Sequence, residues 1–147
     1  MKVVIIGPAH PLRGGIADFN EALAKAFQDE GTEVSIYSFS YQYPSFLFPG
    51  TSQFTKDAEP AHLNIRSTIH SLNPISWKKT ASKIIQEKPD LVLVRYWLPF
   101  MAPALGTICR ILRRKGFSVI AITDNVLPHE KRPGDKQLTN YFLRSCK

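Results

Sequence analysis

Two hydrophobic rhythms take turns along the chain. KVVII at residues 2–6 is apolar without a break, as expected of a strand covered on both faces. Behind it, Ile16, Phe19, Leu23, Ala26 and Phe27 recur every three or four residues, which predicts a helix with one apolar stripe, closed by Gly31. EVSIYSF (33–39) is rich in strand formers, and HLNIR (62–66) predicts a short third strand. Asn73 and Pro74 supply a cap and a first turn for a helix that turns Trp77, Ala81, Ile84 and Ile85 inward and stops at Pro89 and Asp90. LVLVRY (91–96) is another buried strand. Residues 103–115 then read as a helix with Leu105, Ile108, Cys109 and Leu112 on one side and Gly116 as its cap, FSVIAIT (117–123) as a last strand, and 135–146 as a closing helix carrying Leu138, Tyr141, Phe142 and Ser145.

Strands that alternate with helices in this order imply an α/β single domain. Its core is a mainly parallel sheet with helices on both faces, a three-layer sandwich, because right-handed crossovers are the economical way to join parallel neighbours. In such sheets ligands gather beyond the carboxyl ends of the strands, here segments 7–15, 39–48, 96–100 and 124–134. The rhythm fails only over residues 40–61, which hold three prolines and the aromatics Tyr41, Tyr43, Phe46, Phe48 and Phe54. Loops of this length inside a domain are commonly functional. The aromatics either pack on one another or offer a contact surface.

Composition narrows the class. The 147 residues are 44% hydrophobic and 21% charged, an ordinary globular balance. Cys109 and Cys146 stand in no CxxC or Cys/His spacing, so two reduced thiols are expected, with no disulfide framework and no zinc site. The four apolar residues before Gly7 are too few for a secretion signal or a membrane span, which predicts a cytoplasmic protein. Charge is lopsided: residues 1–72 hold five Lys or Arg against seven Asp or Glu, whereas residues 73–147 hold fourteen against five. An excess of this kind suits nucleic acid, a phosphorylated ligand or an acidic membrane face. Arg113, Arg114 and Lys115 equally suit the last turn of a helix, where cations complement the dipole.

The chemistry concentrates in GPAHPLRGGIADF (7–19), where two glycines stand between a buried strand and a helix. No GxGxxG follows the first strand, and the second ends in Ser38 and Phe39 where a dinucleotide site wants an acid. There is no GxxxxGK[ST] loop, and no acidic cluster for metal-dependent phosphotransfer, so no metal is expected. Two readings of Gly14 and Gly15 remain: a plain turn, or backbone amides at a helix amino terminus, beside Arg13, that receive phosphate. A nucleic-acid-binding α/β domain is the alternative class. It is weakened because the aromatics lie in the nearly neutral half, apart from the basic cluster at 110–115.

RGGIADFNEALAKAFQDEGTEVSIYSF resembles the opening of family 4 glycosyltransferases, retaining enzymes of hexosyltransferase type built from two facing Rossmann-like domains in the GT-B architecture. QYPSFLFPGTSQ (42–53) and DNVLPHE (124–130) match one branch of that family, and the likeness covers nearly the whole chain as its amino-terminal, acceptor-side domain. The resemblance implies a donor site at Arg13, Gly14 and Gly15 for the diphosphate of a nucleotide-sugar, with no cofactor or metal. It also implies catalytic roles for Asp18, His129 and Glu130, and an acceptor side formed by Tyr43, Asp124 and Asn125. The acceptor would be a polysaccharide, a lipid-linked molecule or a small molecule. Many relatives have His where this chain has Asp124, and the carboxy-terminal donor domain with its E-x7-E signature is absent. The expectation is therefore half of an enzyme, inactive alone, with peripheral contact to anionic membrane as a further expected partner and no nucleic acid.

Overall fold

The computed structural model describes residues 1–44, 52–125 and 132–147. Strands and helices alternate as β1 (Lys2–Ile6), α1 (Gly15–Asp29), β2 (Glu33–Tyr41), β3 (Asn64–His70), α2 (Pro74–Glu87), β4 (Leu91–Tyr96), α3 (Ala102–Arg114), β5 (Val119–Thr123) and α4 (Asp135–Ser145), with a 3₁₀ turn at Pro99–Met101 leading into α3. Among the described residues every pairing within the sheet is parallel, and the spatial order is β3-β2-β1-β4-β5. The chain therefore builds outward from β1 in one direction, returns, and builds outward in the other. The crevice between the carboxyl ends of β1 and β4 is the switch point of this Rossmann-like α/β sandwich, the place where such sheets bind ligands.

Because side chains alternate along a strand, β1 splits its apolar run between two cores. Val4 and Ile6 join Tyr37, Phe39, Val92, Val94 and Tyr96 against α2, α3 and α4; Val3 and Ile5 join Val34, Ile36 and Leu93 against α1. The first core is the larger. Tyr96 stacks on Phe142 with ring centroids 4.2 Å apart, and its hydroxyl lies 2.8 Å from Thr139 Oγ1, which seats α4. Burial keeps the Tyr96 hydroxyl protonated beyond the usual tyrosine range. Tyr37 also ionises at higher pH than usual, through burial first and then its hydrogen bond to the Glu87 carboxylate, which Arg66 also holds at 2.8 Å.

Three local expectations change. The inward face of α1 is Ala17, Asn20 and Ala24 with Leu23 and Phe27 beside them, while Phe19 is half exposed. The stripe counted from bulky residues is rotated, because α1 crosses close to the sheet over Gly7 and small side chains let it approach. β3 starts later and runs further than residues 62–66; its polar NIRSTIH pattern hides an edge strand whose pairing with β2 sets its length, and Ile69 is its fully buried anchor. The aromatic segment does not form one satellite cluster among the described residues. Tyr41 ends β2 and stacks on His70 at 4.6 Å, Tyr43 is buried in the larger core, and Phe54 is half exposed. Phe46 and Phe48 lie outside the described residues.

Both cysteines are free thiols, and the fold brings Cys109, midway along α3, beside Cys146 at the end of α4. The Cys109 hydrogen bond lowers the Cys146 thiol from its ordinary range, with Arg113 adding to it, while that same bond and burial push Cys109 well up. Among the described residues no helix is long and apolar enough to cross a membrane.

Candidate functional site

On the α1 side of the sheet the apolar layer gives out toward the carboxyl ends of the central strands. Register pairs Ile6 with Tyr37 and with Val94, so the next positions, Gly7, Ser38 and Arg95, stand level with one another at the switch point. Gly7 is there for space: a Cβ would lie 2.7 Å from Asn20 Nδ2 and 2.9 Å from Arg95 Cβ. Ser38 Oγ accepts the Ala9 amide at 3.0 Å and so steers the chain leaving β1. Asn20 donates from Nδ2 to the Pro8 carbonyl at 2.9 Å, yet its Oδ1 is buried without a partner.

Arg95 is the unusual member of this layer. It is only 7% exposed, and its Nε donates to Asp124 Oδ2 at 2.6 Å while a second nitrogen meets Oδ1, a two-pronged ion pair. Phe19 covers the guanidinium with its ring centroid 4.3 Å from Cζ. The remaining nitrogen, Nη1, is buried and unpartnered. A buried ion pair contributes little to stability compared with apolar packing, so a strand that spends a core position on one needs another reason for it.

Beside this layer α1 begins without a side-chain cap. Gly14, at φ 127°, takes a backbone conformation that suits glycine, and its carbonyl accepts the Asp18 amide at 3.0 Å. Among the described residues nothing accepts a hydrogen bond from the amides of Gly14, Gly15, Ile16 or Ala17. Four free N–H groups at the positive end of a 15-residue helix are a ready receptor for negative oxygen.

A cleft of about 310 Å³ opens along the other flank of α1, lined in part by His10, Arg13, Gly14, Asp18, Glu21 and Asp57. The far limb of the aromatic segment forms its wall. Arg13 N donates to Gln53 O at 2.9 Å and Thr55 N to Pro11 O at 2.8 Å, and His10 Nε2 lies 2.8 Å from Asp57 O. Glu21 accepts the His10 amide at 2.7 Å. Asp18 is exposed, and its carboxylate has no partner among the described residues.

The residues singled out in the sequence therefore fall into separate places. Arg13, Gly14 and Asp18 share the cleft, with Gly15 opening the helix above it. Asp124 lies on the opposite flank of α1, bound to Arg95, with exposed Asn125 next to it. Tyr43 is buried, 8% exposed, and its carbonyl accepts Gln53 Nε2 at 3.1 Å. His129 and Glu130 lie outside the described residues. Sequence reasoning passed over Asn20, Glu21, His10 and Arg95. Arg95 had a visible signal, a lone charge inside an otherwise apolar strand; Asn20 had one only for a reader who already knew the true inward face of α1.

No protein-family model matches the chain, and no curated protein matches it significantly.

Proposed function

We propose that this chain is the acceptor-side, Rossmann-like half of a GT-B glycosyltransferase that moves a sugar from a nucleotide-sugar to a hydroxyl-bearing acceptor. The observation that carries this reading is the set of four amides from Gly14 to Ala17, at the carboxyl edge of the sheet, that have no partner among the described residues. A leaving diphosphate gathers negative charge as the glycosidic bond breaks, and fixed N–H dipoles with the Arg13 cation stabilise that charge without a metal. Asp18, Glu21 and Asp57 share the adjoining cleft with Arg13 and His10, and their carboxylates suit the hydroxyls of the transferred sugar, which donate to carboxylates. In this reading Asp124 and Asn125, together with the His129–Glu130 pair of the resemblance, face the acceptor. A second domain across the edge grips the nucleotide and completes the enzyme, which works in the cytoplasm at or near the membrane.

The test is amide NMR of the 147-residue chain titrated with uridine and guanosine diphosphates. Expected are weak, millimolar binding and shifts centred on Gly14 to Ala17, with Gly15→Ala, whose added methyl meets nothing within 4 Å in the free chain, weakening binding several-fold at unchanged fold. Shifts absent from these amides at saturating diphosphate, or turnover of a nucleotide-sugar by this chain alone, would overturn the proposal.

A further inference from the structure

At the opposite edge of the sheet, where α3 ends just before β5, the last turns of α3 and α4 frame a cleft of about 240 Å³. Arg110, Arg113, Arg114, Arg144, Ser145 and Lys147 line it. The two helices are held together tightly enough to fix its shape. A Cβ on Gly106 would come 2.6 Å from the Tyr141 ring, and Thr107 Oγ1 lies 2.8 Å from the Tyr141 hydroxyl. Arg110 lies over that same ring, 4.9 Å from its centroid, and Arg113 donates to the Cys146 carbonyl.

The cleft is lined by five cationic side chains and no acidic one, and none of the five takes part in an ion pair among the described residues. Helix ends explain only a fraction of this. Each helix C-terminus presents about half a negative charge and Lys147 carries the carboxylate of the 147-residue chain, so two cations would balance them, leaving a surplus of about three. Cations crowded together repel one another, and a shared multivalent anion removes that cost. Arginine dominates the lining, and its planar fork matches the paired oxygens of phosphate.

We propose that this cleft binds a multiply charged phosphate group, with Arg110, Arg114, Arg144 and Lys147 as its ligands and Arg113 bracing the wall. The site is separate from the α1 amino terminus and does not depend on the glycosyl-transfer reading. The phosphate belongs either to a free phosphorylated molecule or to the headgroup of an anionic lipid, and the experiment tells the two apart.

Pyrophosphate is titrated into the 147-residue chain at low ionic strength, by calorimetry and by amide NMR. The variants are Arg114→Gln/Arg144→Gln and, as a control removing the same charge from an exposed stretch of α2, Lys78→Gln/Lys79→Gln. Expected are shifts at the ends of α3 and α4 and a loss of affinity of about tenfold or more in the arginine variant alone. In parallel, phosphatidylcholine vesicles with and without phosphatidylglycerol are sedimented with the chain. Co-sedimentation with the anionic vesicles, lost in the arginine variant and competed by pyrophosphate, assigns the phosphate to a lipid headgroup; pyrophosphate binding without co-sedimentation assigns it to a free molecule. Equal weakening in the two variants, or binding of neither pyrophosphate nor anionic vesicles, would overturn the site.

Discussion

The two faces of the sheet are built from the same five strands and spend them differently. Under α2, α3 and α4 the central strands β1, β2 and β4 stay apolar to their carboxyl ends, with Tyr37, Phe39 and Tyr96 closing a core that Phe142 completes. Under α1 the same strands give way to Gly7, Ser38 and Arg95, where Asn20 Oδ1 and Arg95 Nη1 are two of the four buried side-chain atoms without partners among the described residues. Stability is stored on the first face. On the second, polar groups at the switch point take the place of apolar packing.

Removing the principal aromatic of the crowded face is the severest way to break this contrast. Phe142→Ala is expected to cost about 3–5 kcal/mol in urea unfolding, since the ring is fully buried against Tyr96. On the α1 face, Asp124→Ala leaves the Arg95 guanidinium buried without its carboxylate and is expected to cost about 3 kcal/mol. Adding Arg95→Met to that variant should recover most of the loss while leaving the switch point without its charge. A double variant no more stable than the single one would show that the pair stabilises the fold rather than serving the edge.

Alkali sharpens the comparison, because the tyrosines whose ionisation is delayed belong to the crowded core. For Tyr37, Tyr43 and Tyr96 the folded state ionises at higher pH than the unfolded chain, so their contribution is whole below about pH 10 and is lost as pH rises beyond it. Each should steepen the fall by about 1.4 kcal/mol per pH unit, and Tyr37→Phe should flatten the curve measured by unfolding between neutral and strongly alkaline pH. The smallest effect belongs to the helix start. Gly15→Ala should stabilise the chain by up to about 1 kcal/mol, since alanine favours helix and nothing obstructs its methyl. Weaker diphosphate binding in a more stable protein would mark Gly15 as kept for approach and not for folding.

Much of this contrast is legible in the sequence. LVLVRY and SIYSF already place Arg95 and Ser38 at strand ends, and the paired glycines already mark a bare helix start. The α1 face was misread because bulky residues were counted as the inward ones. Phe19 instead lies half exposed over Arg95, and the helix sits on Ala17, Asn20 and Ala24. A periodicity count finds a stripe but not how closely a helix approaches its sheet, and here Gly7 sets that distance. The long excursion after β2 was likewise a single unit on paper, whereas its described far limb is tied by backbone hydrogen bonds to the 11–13 turn as the wall of a cleft.

By itself the sequence determined the alternation of strands and helices and hence the parallel α/β sheet, because hydrophobic period and capping residues are local properties. It also determined the glycine-paired helix start and the cationic second half. Only tertiary structure decided that Arg95 meets Asp124 across two strands, that Asn20 turns inward, that Cys109 and Cys146 become neighbours and that five cations from two helices share one cleft. Those juxtapositions depend on strand order and helix approach, which are set by packing between residues far apart in the chain and leave no periodic trace along it.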